Sequence, residues 1–185
     1  MVRITQNSRQ TQDFCGNTEK LLGNQCFASY VGTKPLDHQL GAKMTELYNT
    51  DILRWTTRIP HTERLVVADA TVTKTSRICG SRISADARVS GGVITEFGQE
   101  VKACALGQAT AAIVGQHVIG LSEDELADIA TRFRHMVKTG EADFPAKWAD
   151  LALLAPVWEH PGRHGSVMLP FEVLEGLFAE VDHKA

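Results

Sequence analysis

Residues 82–115 read RISADARVSGGVITEFGQEVKACALGQATAAIVG, and the change of period inside this stretch decides the fold class. At its start Ile83, Ala85, Ala87 and Val89 alternate with Arg82, Ser84, Asp86 and Arg88, the period of two that marks a half-buried strand. Ser90, Gly91 and Gly92 supply a turn that tolerates positive φ, and VITEFGQEVKA (93–103) reads as the returning arm of a hairpin. Beyond Cys104 the alternation stops. ALGQATAAIVGQHV carries alanine and glycine where a surface helix carries long side chains, which predicts a helix whose backbone packs closely against a neighbour.

Working upstream, ATVTKTSRIC (70–79) is threonine-rich and β-favouring and predicts a first strand. Before it, Leu47, Tyr48, Ile52, Trp55 and Ile59 share a helical face that ends at Pro60. Downstream, LSEDELADIATRFRHMVKTG (121–140) predicts a well-bounded helix: Ser122 and Glu125 make a capping box, Leu121 and Leu126 a hydrophobic staple, and Gly140 the stop. Leu126, Ile129, Phe133, Met136 and Val137 form its apolar face. A short helix over Trp148–Leu154 follows, then a last one running to Val181 with Phe171, Leu174, Leu177 and Phe178 at helical spacing. The order predicts an α+β fold, a three-stranded antiparallel sheet with helices packed on one face.

The chain has 185 residues, 43% of them hydrophobic, enough for one sizeable core and one domain. That domain is placed at 44–185. Residues 1–43, rich in Gln, Asn, Thr and Gly and without a sustained period, read as a poorly ordered extension, and Met44 offers an alternative start that would leave them outside the native protein. A net charge of -3 with both signs interspersed argues against a nucleic-acid partner. No apolar run reaches the length of a membrane span, so a soluble, cytoplasmic protein is expected.

Four cysteines, Cys15, Cys26, Cys79 and Cys104, are too few for a disulfide scaffold and suit a reducing compartment. Cys79 lies in ICGSR, in a loop at a sheet end where Gly80 permits a tight turn, and Cys104 lies where a strand hands over to a helix start. One passage up and down the hairpin returns the chain to the same end, so the two thiols are expected to approach each other. Such cysteines are ligand or nucleophile candidates, or small buried hydrophobes. Cys15 and Cys26 have no companion histidines and are assigned nothing.

SRICGSRISADARVSGGVITEFGQEVKACALGQATAAIVG (76–115), with the capped helix after it, resembles the IscU/SufU/NifU N-terminal family of iron-sulfur cluster assembly scaffolds. Those proteins carry a Cys-Gly-Asp loop before a hairpin, a second cysteine opening a small-residue helix, and a third before the last helix. Cys79-Gly80 and Cys104-Ala105 match the first two. The resemblance covers about residues 44–181, and CALGQATA and the long interval after Cys104 are similar to the SufU type. No Leu-Pro-Pro-Val-Lys chaperone motif is present.

Two positions depart from the family. Ser81 stands where the family has Asp, and in PGRHGSVML Ser166 stands where it has the third cysteine. A serine hydroxyl is a poor ligand for iron or zinc at neutral pH. His164 is then a candidate third donor beside Cys79 and Cys104, with Ser81 and Arg163 flanking the site. Ser166 also reads as a helix N-cap, with Pro170 an alternative helix start, and His164 as a solvated loop histidine. Pro161-Gly162 argues against a helix over 160–164.

The resemblance implies a non-enzymatic scaffold that binds iron or a transient [2Fe-2S] cluster. Its partners would be a cysteine desulfurase, which gives sulfur as a persulfide, and acceptor proteins; a fourth donor could come from solvent or from the second protomer of a homodimer. The alternatives are a zinc-holding sulfur acceptor for the desulfurase, and a regulator of that pathway without metal chemistry.

Overall fold

The structure, a computed structural model, describes residues 47–183, so the expectation for residues 1–43 lies outside the described part. Helix α1 (Thr50–Thr56) leads to strands β1 (Ala70–Thr75), β2 (Arg82–Ser90) and β3 (Val93–Lys102). Helices α2 (Ala105–Gln116) and α3 (Glu123–Thr139) follow, then a 3-10 segment (Ala146–Glu159) and a closing helix α4 (Pro161–Asp182). The sheet is antiparallel in the order β1-β2-β3, and the α+β class is as read. None of the described helices is long and apolar enough to cross a membrane.

The hairpin turn consists of Gly91 and Gly92, with φ of 62° and 77°. Two successive positive-φ residues give the local twist that matches the flanking strands. At the opposite end of the sheet Thr75 pairs with Arg82, and Arg82 with Lys102. That register carries the 76–81 loop and Cys104 to one end, as expected from the single up-and-down passage.

The helix-facing side of the sheet is apolar: Ala70 and Val72 of β1 and Ile83, Ala85 and Ala87 of β2 are buried there. Helix α4 lies across β1, its Gly176 close enough that an added Cβ would stand 3.0 Å from Val72 Cγ1. Helix α2 is buried nearly all round, the condition in which a helix dispenses with a polar face, and its small side chains allow neighbours on every side. Phe133 of α3 stacks on Phe171 of α4 at 4.8 Å between centroids, and Trp148 of the 3-10 segment is fully buried.

The other face of the sheet is not left to solvent as the alternation implied. Asp86 and Ser84 are 3% and 7% exposed, because residues 57–69 cross that face as a strap. Arg64 grips Asp86 with two guanidinium nitrogens, Nη2 at 2.6 Å from Oδ1 and Nε on Oδ2. Thr71 Oγ1 and the Leu65 N–H also donate to the Asp86 carboxylate. Gly98 leaves room for the strap, since a Cβ there would meet the Glu63 carbonyl oxygen at 2.3 Å. The strap exists because α1 ends at Thr56, short of the expected Ile59: Pro60 disfavours helical geometry in the residue before it, and Thr56 and Thr57 turn their hydroxyls back onto the Leu53 and Arg54 carbonyls.

Two further readings are modified. Ser122 caps α3 by accepting from the Glu125 N–H at 3.3 Å, and Gly140 closes the helix at φ 82°. The Glu125 carboxylate, however, accepts from Trp148 Nε1 and Lys147 Nζ, tying α3 to the 3-10 segment. Helix α4 starts at Pro161, correcting the expectation of a loop through 160–164. Proline at the first helical position sacrifices only an N–H that has no intrahelical partner.

Candidate functional site

Four positions singled out in the sequence meet at the sheet end. Ser76 and Ser81 face each other across the loop, the Ser76 N–H donating to the Ser81 carbonyl and the Gly80 N–H to the Ser76 carbonyl. Gly80 takes φ 70°, a left-handed conformation that glycine adopts without a steric penalty. This tight turn holds Cys79 with its sulfur 3.3 Å from Ser76 Oγ and 3.2 Å from Ser81 Oγ. Cys104 is the N-cap residue of α2, its carbonyl accepting from the Gln108 N–H. Its side chain does not cap the helix. Instead Cys104 Sγ lies 3.0 Å from Ser166 Oγ.

The two cysteines are joined through hydroxyls. Ser166 donates to Ser81 Oγ at 3.1 Å, and the Cys104 N–H donates to the same oxygen at 3.3 Å. The neutral Cys79 thiol donates to the same Ser81 oxygen; once ionised, its sulfur can only accept, and the surrounding hydroxyls turn their protons to it. A sulfur that receives a hydroxyl proton is stabilised as thiolate. Burial pushes the Cys79 thiol up, but hydrogen bonds with the Ser76 hydroxyl, the Ser81 hydroxyl and backbone, and the Ser166 hydroxyl outweigh it and lower the thiol to about 7. Ser166 is fully buried and Ser81 4% exposed, whereas both cysteines are partly exposed. The hydroxyls form the floor and the sulfurs the rim.

Helix α4 delivers Ser166 in its second turn, not as the N-cap. Two glycines make the approach possible. A Cβ on Gly107 of α2 would stand 2.7 Å from Ser166 Oγ and 3.1 Å from the Ser166 carbonyl oxygen, and one on Gly165 would stand 3.0 Å from Ser76 Oγ. Pro170, inside α4 and not at its start, has no N–H for the Ser166 carbonyl one turn earlier.

His164 is not brought to the cysteines. Its Nε2 lies 3.1 Å from the Val157 carbonyl oxygen, which can only accept, so the ring nitrogen donates and pins α4 to the 3-10 segment. Arg163 lies in the first turn of α4, half-buried, its backbone N–H donating to the His160 carbonyl. Among the described residues no group of three or more His, Cys, Asp or Glu side chains is placed to hold a metal ion. Ser76, Gly107 and Gly165 escaped the sequence reading. The glycines carried a signal, as glycine inside a helical pattern marks a close approach.

The N-terminal part of a nitrogen-fixing NifU-like protein from Brucella abortus has a solved structure that is 31% identical to this chain, covering 77% of it and 99% of that protein, with a TM-score of 0.74. The chain belongs to the IscU/SufU/NifU-like family. The fold of this NifU-like chain is shared at lower identity by a candidate iron-sulfur cluster assembly scaffold of the SUF system from Fervidobacterium islandicum. That protein is 19% identical over 72% of this chain and 98% of its own, with a TM-score of 0.66. No protein-family model and no curated protein matches the NifU-like chain.

Proposed function

We propose that the protein is a non-enzymatic scaffold for iron-sulfur cluster assembly, with Cys79 and Cys104 as the residues that take up the cargo. The convergence of both sulfurs on the Ser81–Ser166 hydroxyl pair carries this reading. Sulfur from a cysteine desulfurase enters as a persulfide on Cys79, which stands on a turn and is partly exposed. Ligands on short loops exchange readily, which suits a protein that gives its cargo away.

A [2Fe-2S] cluster has four terminal protein ligands. One chain supplies two thiolates, and the serine hydroxyls are poor substitutes. The cluster is therefore completed by the same two cysteines of a second copy. Zinc is the second reading, since the four thiolates of two copies would also complete a closed zinc site; metal content and visible absorption separate the two.

Anaerobic reconstitution of the full chain with ferrous iron and sulfide tests this. The expected product is a dimer with about one iron per chain and sulfide-to-iron charge-transfer absorption, lost in both Cys79→Ser and Cys104→Ser. Absence of iron uptake by the parent protein overturns it.

A further inference from the structure

A sulfur atom that arrives as a persulfide is at the oxidation level of elemental sulfur, and a cluster is built from sulfide. Two electrons must therefore be supplied at the site. We propose that Cys104 supplies them: its thiol attacks the inner sulfur of a Cys79 persulfide, releasing hydrosulfide and leaving a Cys79–Cys104 disulfide. The inference rests on the reading that Cys79 accepts sulfur.

The step balances without an outside oxidant. The Cys79 Sγ–S bond breaks and a Cys79 Sγ–Cys104 Sγ bond forms. The outer sulfur leaves with the bonding pair, reduced to sulfide, and the two thiol sulfurs become the disulfide. Cys104 gives up its proton, and a path for it is in place. Cys104 Sγ is 3.0 Å from Ser166 Oγ, Ser166 donates to Ser81 Oγ at 3.1 Å, and Ser81 Oγ is 3.2 Å from Cys79 Sγ. The two hydroxyls relay the proton from Cys104 Sγ as far as Ser81 Oγ, which stands beside Cys79 Sγ, and Ser81 gives its proton to the outer sulfur as that atom leaves Cys79 Sγ.

Three features of this chain favour the step. No third thiol, histidine or carboxylate joins the cysteines among the described residues, so within one chain the link between the two sulfurs runs through serine hydroxyls. Ser166 is fully buried, which keeps bulk water out of the path between the thiols. Cys79 is partly exposed, and beside it the Gly80 Cβ position is open space, so an outer sulfur on Cys79 has room. Reduction of the disulfide by a dithiol through ordinary exchange returns the pair to its starting state.

The test loads the full chain anaerobically with inorganic polysulfide, removes the excess, and follows hydrosulfide release together with the mass of two tryptic peptides, 78–82 with Cys79 and 103–132 with Cys104. Wild type is expected to release about one hydrosulfide per sulfur loaded on Cys79, and the two peptides to appear joined by a disulfide. Cys104→Ser keeps a favourable N-cap at α2 and is expected to hold Cys79 about 32 Da heavier, releasing hydrosulfide at least about tenfold more slowly. If wild type retains the added sulfur as long as Cys104→Ser does, the proposal is overturned and the acceptor reading stands. If Cys79 gains no sulfur in either protein, both fall.

Discussion

Cys79 is governed by the competition between desolvation, which favours the neutral thiol, and a ring of hydroxyls, which favours the anion. The hydroxyls win and lower the thiol to about 7, so near neutral pH about half of the population is thiolate. Iodoacetamide alkylation of Cys79, read by peptide mass, is therefore expected to rise through a midpoint near pH 7. Replacing Ser81 with alanine removes one of these hydroxyls, moves the midpoint up and slows alkylation at pH 7, by about fivefold for the first unit. An unchanged profile in Ser81→Ala would show that Ser81 does not set the ionisation. The approach of Cys79 and Cys104 was legible in the sequence because strand register and turn length bring both to one sheet end, and the Ser166 position was legible only through the family resemblance. The exclusion of His164 was not. It depends on where α4 begins: with Pro161 at its first position, residues 164 and 166 stand about 200° apart around the axis, so one faces the 3-10 segment and the other the cysteines.

The contact between α2 and α4 turns on a single absent methyl group. Gly107 sits against both the hydroxyl and the carbonyl of Ser166, and a side chain there forces the helices apart or displaces the serine from Cys104. Gly107→Ala is expected to cost about 1–3 kcal/mol, lowering the melting temperature by about 2–4 °C per kcal/mol. Ser166→Gly removes the nearest of these contacts, so the losses in Gly107→Ala, Ser166→Gly and the double variant are expected to be less than additive by about 0.5 kcal/mol or more. Additive losses would mean that the cost at Gly107 is crowding by Ala103, whose Cβ is the other near neighbour at 2.9 Å. The sequence announced a close-packed helix through its alanines and glycines, but not which partner it approaches, because 59 positions separate Gly107 from Ser166 and periodicity carries no information across such a distance.

At the scale of the whole molecule, the sheet is covered twice: by helices on its apolar side and by the 57–69 strap on its polar side. The first cover is written in hydrophobic spacing and was legible. The second rests on one carboxylate and its partners, for which a sequence has no periodic signature, so Asp86 read as a solvent-facing strand position. Asp86 has its carboxyl held below the ordinary value, chiefly by the Arg64 hydrogen bonds and against the opposing effect of burial, with Thr71, the charge of Arg64 and the Leu65 N–H adding to the lowering. A carboxylate whose folded pKa lies below its unfolded one stabilises the fold above the unfolded pKa, and this contribution is lost as pH falls through the folded value. Asp86→Asn keeps the shape but gives up the charge, so Arg64 loses its ion pair and one amide hydrogen faces donors. The expected loss is about 1–3 kcal/mol at pH 7, moderated because the Arg64 side chain is 37% exposed. In urea denaturation followed from pH 7 downward, the gap between parent and variant should hold until about pH 4 and then close, as the parent's carboxylate protonates. A gap that persists unchanged into the acid range would show that the strap is held by shape and hydroxyl bonding at Asp86 and not by its charge.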